Sequence, residues 1–264
     1  MDLQLQGKKA LITGSTVGIG FAIAMALAKE GVSVVINGRT EQAVNQAKDK
    51  LLQAIPDAKV QVVAADLASK NGIDALLRQV AEVDLLINNL GIFDPKPFDQ
   101  IEDEEWLHFF EVNVMSGVRL ARHYLPKMKQ RHWGRIIFIS SESGICPPAE
   151  MVHYGMTKSA QLSVSRGLAE TCTGTGVTVN AVLPGPTRTE GVTTFFNKLA
   201  AESGKSLADT EQDFFIQARP TSILKRFIEP AEVASMVAYI CSPLSAATQG
   251  AALRVDGGVV RSLI

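Results

Sequence analysis

Ala10-Leu11-Ile12-Thr13-Gly14-Ser15-Thr16-Val17-Gly18-Ile19-Gly20 is the stretch that decides the fold. Its apolar start reads as a short strand. The glycines let the backbone turn tightly and come close to a ligand. A helix follows, with Gly31 as a plausible stop. Such a turn aims the helix N-terminus, with its free N–H groups and positive dipole end, at a phosphate. At the start of a β-α-β unit it points to a dinucleotide; a glycine-rich turn with no ligand is the bland alternative. Gly14, Ser15, Thr16, Gly18, Ile19 and Gly20 are the candidate contacts.

Outward from this loop, short apolar runs alternate with longer helical patterns. Val32 to Ile36, Val60 to Ala65, Val83 to Ile87, Ile136 to Ile139, Val177 to Leu183 and Ala252 to Val255 read as further strands. Most lack apolar/polar alternation, so they are expected to be buried on both faces, as in a parallel sheet covered by helices. The repeated β-α-β order predicts an α/β, Rossmann-type, doubly wound parallel sheet of seven strands with helices on both faces. No linker, repeat or low-complexity tract divides it, so residues 1–264 read as a single domain.

Composition narrows the function. Of 264 residues, 46% are hydrophobic and 20% charged, which fits a globular protein with a sizeable core. The net charge of -1 implies no nucleic-acid partner. Three cysteines, Cys146, Cys172 and Cys241, are too few and too scattered for a disulfide frame or a zinc site, and no metal is expected. With no signal-peptide pattern and no membrane-length apolar run, a cytoplasmic location without membrane contact is expected.

Tyr154-Gly155-Met156-Thr157-Lys158 carries the chemistry. Residues four apart share one face of a helix. A free phenol is a poor base near neutral pH, and a nearby ammonium pulls its pKa down. A tyrosine tuned this way gives a proton to a carbonyl oxygen or takes one from an alcohol. Alone, the pair is far more readily a bland surface feature.

Together, Gly14-x3-Gly18-x-Gly20 and Tyr154-x3-Lys158 make the chain resemble the short-chain dehydrogenases/reductases, of the 3-oxoacyl-ACP-reductase type, over nearly its whole length. Further matches fall in order: Asn88-Asn89-Leu90-Gly91, Asn113, Ser140-Ser141, Pro184-Gly185 and Asp256-Gly257-Gly258. The resemblance implies hydride transfer between a nicotinamide cofactor and a carbonyl or alcohol. Tyr154 would be the acid/base, and Lys158 would lower its pKa and bind the nicotinamide ribose. Ser141 would polarise the carbonyl, with Ser140 its rival by sequence and the spacing to Tyr154 favouring Ser141. Asn113 would hold a water that relays protons to Lys158; satisfying backbone groups is its bland role. Asp66 and Leu67 would meet the adenine, although an Asp capping the next helix reads equally well. Asn89 and Gly91 would contact the cofactor from a turn that resembles the family's Asn-Asn-Ala-Gly, where Leu90 replaces the alanine and would press on the adenine or tilt the turn. Pro184, Gly185 and Thr187 would hold the carboxamide, and Thr189 would touch the pyrophosphate.

Gly38-Arg39 ends the second strand, where an acidic residue would accept from the ribose 2′-OH. A guanidinium instead suits a 2′-phosphate. NADP(H) is therefore preferred and NAD(H) remains possible; a solvent-facing arginine is the plain alternative. Residues 190–222 are irregular and aromatic-bearing, either a substrate lid or a helical hairpin burying its aromatics. An apolar lid suggests a 3-oxoacyl group, a steroid-like ring or a small cyclic ketone, with sugars open. A homotetramer, or at least a homodimer, is implied by the resemblance alone. A dinucleotide-sensing protein without turnover and an enoyl reductase are the alternative functions; a serine–histidine–acid hydrolase lacks its Gly-x-Ser-x-Gly elbow.

Overall fold

The computed structural model describes residues 1–263. In chain order β1 is Lys9–Ile12, α1 Gly18–Lys29, β2 Ser33–Gly38, α2 Glu41–Ala54, β3 Val60–Ala64, α3 Lys70–Gln79 and β4 Leu85–Asn88. Then follow α4 Asp103–Phe110, α5 Ser116–Gln130, β5 Gly134–Ile139, α6 Val152–Glu170 and β6 Val177–Pro184. The chain closes with α7 Glu190–Ser203, α8 Leu207–Gln217, α9 Pro230–Cys241 and β7 Ala252–Val255.

All seven strands are parallel, in the order β3-β2-β1-β4-β5-β6-β7. The continuous apolar runs have a simple cause: successive strand residues serve opposite layers. Ala10, Ile12, Val34, Ile36, Leu85 and Ile87 pack beneath α1, α2 and α9 through Ile23, Leu27, Val44, Leu51, Val233 and Val237. Leu11, Val35, Leu86, Ile136 and Phe138 face α3, α5 and α6 through Leu76, Leu120, Tyr124, Met128 and Ala169. Each fully buried aliphatic side chain contributes roughly 1.5–3 kcal/mol.

Strand order reverses between β1 and β4, and their C-terminal ends open the crevice where ligands bind in such sheets. β2 runs on through Asn37 and Gly38, past the apolar run, because these residues continue the parallel pairing with Val63 and Ala64. Its polar Asn37 is tolerated because the amide donates to the Val63 and Ala65 carbonyls and accepts from the Gly14 N–H. Gly31, at φ +76°, stops α1 as expected. The irregular segment after β6 forms a helical hairpin, α7 and α8. Thr189 and Ser206 cap its helices, and left-handed Gly204 ends the first. Phe196 of α7 and Phe215 of α8 pack together with Phe227. No helix among the described residues is long and apolar enough to cross a membrane.

Candidate active site

The glycine loop is built to leave amides free. Gly14 and Gly18 take φ values of +59° and +60°, which side chains disfavour. A Cβ on Gly20 would lie 2.5 Å from both the Asn89 amide nitrogen and the Gly14 carbonyl, so only glycine fits there. Asn89 donates to the Thr13 and Gly14 carbonyls, and the Thr13 hydroxyl accepts from the Asn89 and Leu90 N–H groups. Leu90 packs on the apolar layer under α3 and α5, so the turn keeps its bonds despite the bulkier side chain. The Ser15 hydroxyl donates to the Ile12 carbonyl. Thr40, Ser69, Thr189 and Ser206 cap the helices they precede, whereas α1 has neither a side-chain cap nor an acidic residue in its first turn. Its open amides and positive dipole end fit a pyrophosphate. Thr189 crosses from the opposite wall, its methyl carbon 3.2 Å from where a Gly18 Cβ would stand.

At the end of β2, Arg39 is exposed and has no side-chain partner among the described residues. Gly38 faces Thr16, whose methyl carbon lies 2.5 Å from the position of an added Cβ. Asp66 is exposed and accepts from the Ala68 N–H, while Ser69, rather than Asp66, caps α3. The Leu67 side chain is in the core. Gly185 sits tight on the Asp256 carbonyl, 2.6 Å from its would-be Cβ, and the Thr187 hydroxyl donates to the Gly185 carbonyl. These residues fit a dinucleotide laid across the C-terminal ends of the strands from β3 through β2, β1, β4 and β5 to β6.

Beyond that crevice lies a cavity of about 620 Å³. Ser141, Tyr154 and Lys158 meet there, with Asn89, Gly91 and Thr187 on one side and the α7–α8 hairpin on the other. The two serines divide their work. The Ser140 hydroxyl straps β5 to α6 by donating to the Lys158 carbonyl at 2.9 Å, while Ser141 turns to Glu142. Lys158 Nζ lies 5.5 Å from the Tyr154 ring centroid and donates to the Ile139 carbonyl at 3.0 Å and to Gln161 Oε1 at 3.3 Å. Burial lowers the Lys158 pKa to about 8. Burial also holds the Tyr154 phenol well above its ordinary value, not below it as expected from Lys158, whose ammonium is turned to Ile139 and Gln161; Glu142 pushes the same way, and Ser141 and Arg219 oppose it.

Asn113 stands in one turn of π-helix, Glu111–Met115, between α4 and α5. Its side chain exchanges bonds with the Ile92 N–H and carbonyl and donates to Thr157, so it fastens the Gly91 turn to α6. Its carbonyl accepts from the Gln161 amide, which links it to Lys158. π-Turns of this kind often occur at functional sites. His153 points away from the cavity, between Phe109 and Trp106.

Three contributors have no role assigned from sequence: Gln161, Glu142 and Arg219. Gln161 lies one turn beyond Lys158 on the same face of α6, a spacing that could have flagged it. Glu142 stands out in sequence only as a neighbour of Ser141. Arg219 lies 77 residues from it and gives no local signal. Its Nε donates to Glu142 at 3.1 Å and its Nη1 to Glu150 at 2.9 Å. Burial lowers the Arg219 pKa, but Glu142 and Glu150 outweigh it and hold the guanidinium charged.

Crevice and cavity together define a nicotinamide-dependent oxidoreductase, and comparison with known proteins gives its family. The pattern described as "short chain dehydrogenase" matches residues 8–200, and the chain belongs to that family. It is 53% identical to the uncharacterized oxidoreductase YvaG of Bacillus subtilis (strain 168) over 263 residues, covering 100% of both chains. L-sorbose reductase from Gluconobacter frateurii, complexed with NADPH and L-sorbose, superposes with a TM-score of 0.94 at 32% identity, again over 100% of both chains. A single-residue variant of actinorhodin polyketide ketoreductase with NADPH superposes at 0.85 with 29% identity, covering 96% of this chain and 97% of that one. The protein is thus an NAD(P)-dependent short-chain dehydrogenase/reductase enzyme.

Proposed function

We propose that this enzyme interconverts a carbonyl and its alcohol, with NADP(H) preferred over NAD(H). The observation that carries the reading is the meeting of Ser141, Tyr154 and Lys158 in one cavity beside the uncapped α1 crevice. A bound nicotinamide dinucleotide supplies or accepts the hydride. In reduction, Tyr154 gives its phenolic proton to the oxygen as the carbon gains hydride; in oxidation it takes that proton back. Ser141 donates to the same oxygen and stabilises its developing charge. Lys158 places an ammonium against the tyrosine, and the Asn113 carbonyl, through Gln161, holds Lys158 in line. Tyr154 and Lys158 also face the crevice where the ribose belongs.

The NADP preference rests on unpaired Arg39 and on the NADPH present in both solved relatives. The chain acts as one domain, with 190–222 as a lid over an apolar cavity bearing Phe93, Phe195 and Phe214. Those walls favour an oxoacyl, steroid-like or cyclic ketone, while the L-sorbose complex of the relative keeps sugars in view. Leu107 and Phe110, exposed on α4, support a homotetramer or homodimer.

The test is turnover of acetoacetyl thioesters, cyclohexanone, a 3-ketosteroid and L-sorbose with NADPH and NADH. Carbonyl reduction that Tyr154→Phe reduces by at least ~10²-fold is expected. Cofactor binding without turnover would indicate a sensing protein, and reduction of an enoyl thioester alone would indicate a C=C reductase.

A further inference from the structure

Glu142 is an unexpected neighbour for an acid/base tyrosine. The residue is only 4% exposed, and every partner of its carboxylate is a donor. Oε2 accepts from the Ser141 hydroxyl, from the Ser143 N–H at 2.7 Å and from the Ser143 hydroxyl at 3.0 Å. Oε1 accepts from Arg219 Nε at 3.1 Å. Donors on both oxygens suit an ionised carboxylate; a neutral amide would turn an NH₂ against one of them. A buried carboxylate in turn needs an opposite charge. That charge comes from elsewhere in the chain: Arg219 follows α8, at the end of the hairpin that covers the cavity. Its guanidinium lies 5.7 Å from the Phe214 ring centroid and bridges onward to Glu150.

We propose that Glu142 and Arg219 are positioning residues that tie the hairpin to the chemistry: Glu142 aims the Ser141 hydroxyl, and Arg219 neutralises Glu142 only while the hairpin is seated. The proposal rests on the carbonyl-reducing reading above. The Ser141 hydroxyl has one proton, which it donates to Glu142. When that proton turns to a carbonyl oxygen, Ser143 and Arg219 still donate to Glu142, so the move leaves no buried charge unpaired. The charged groups facing Tyr154 are Glu142 from the loop after β5, Lys158 from its own helix and Arg219 from beyond α8; Glu150 acts through Arg219. With Arg219 withdrawn, the Glu142 charge stands uncompensated beside the phenol and opposes the phenolate. An unseated hairpin therefore disarms the tyrosine as well as opening the cavity.

The experiment compares wild type, Arg219→Met, Arg219→Lys and Arg219→Met/Glu142→Gln. One readout is the pH dependence of kcat for oxidation of the alcohol of whichever panel carbonyl the wild type reduces fastest. The other is the Tyr154 phenolate absorbance, taken as the difference from Tyr154→Phe in each background. In Arg219→Met the alkaline rise of kcat and the phenolate onset should move up by about one pH unit, about tenfold in kcat on the rising limb. Arg219→Lys should recover part of the shift, and the double variant most of it. A purely structural Arg219 would lower Tm and raise KM in the single variant but leave both pH positions unmoved, and that result overturns the proposal. A double variant shifted as far as the single also overturns it. If no panel carbonyl is turned over, the carbonyl-reducing reading fails, while the phenolate titration still decides the pair.

Discussion

Replacing Lys158 by methionine should remove activity and change the pH dependence of stability in a calculable way. The ammonium is buried, with the Ile139 carbonyl and Gln161 as its hydrogen-bond partners. Its pKa is lowered from 10.5 to about 8. Between those values the unfolded chain binds more protons than the folded one, so wild-type stability rises with pH; below 8 the whole penalty is present. At ~1.36 kcal/mol per pH unit, the penalty near neutrality is about 3 kcal/mol. Methionine lifts it but leaves the Ile139 carbonyl without its donor, at a cost of about 1–3 kcal/mol. The net difference at pH 7 is thus small, and the informative quantity is its slope. Between pH 7 and about 9.5, wild type should gain roughly 2 kcal/mol on the variant, because the other titrating groups are common to both. Urea unfolding of both proteins without cofactor, at matched concentrations across that range, measures it. A difference that stays flat with pH would refute the buried-ammonium reasoning, whatever its value at pH 7.

Arg39→Ala should weaken NADPH by ten- to a hundredfold and leave NADH nearly unchanged, from a charge-assisted bond of roughly 1.5–3 kcal/mol; equal losses in Kd for both cofactors would mean that Arg39 stacks on the adenine instead. Gly38→Asp alone should cost stability, because its Cβ meets the Thr16 methyl carbon at 2.5 Å, so the cofactor switch towards NADH should be cleaner with Thr16→Ser added, read from the same Kd values. Gly20→Ala should lose cofactor binding and about 1–3 kcal/mol of stability, since the new methyl overlaps Asn89 and the Gly14 carbonyl; normal binding by calorimetry would contradict the tight loop. Phe195→Ala should raise KM for apolar ketones about fivefold at nearly constant Tm, because the ring is 44% exposed and lines the cavity. An unchanged KM would place the substrate elsewhere.

The sequence was most legible where the pattern was local. The glycine loop and the apolar runs that alternate with helical patterns each act within a few residues, and these elements formed close to where expected. Strand ends were less legible, because Asn37 and Gly38 pair through their backbones whatever their side chains. The segment over the cavity was legible as an irregular aromatic stretch, a lid or a helical hairpin, but its helix bounds were not, since its caps, Thr189 and Ser206, sit among many other polar residues. Asn113 was singled out, but the π-turn that frees its carbonyl for Gln161 leaves no mark in composition. The pairing of Arg219 with Glu142 was invisible because a tertiary ion pair has no sequence period.

The reversal of strand order at the centre of the sheet also bears on how the chain folds. The Thr13 hydroxyl and the Asn89 amide that bonds to it lie 76 residues apart, whereas the β1-α1-β2-α2-β3 half pairs over shorter separations. Closing so long a loop costs entropy before the β1–β4 pairing rewards it, and such non-local parallel contacts form slowly. The N-terminal half can therefore collapse with its helices in place while the nucleotide crevice is still missing one wall. In refolding, helical signal should return ahead of cofactor affinity, and the interval between them times the joining of the two halves.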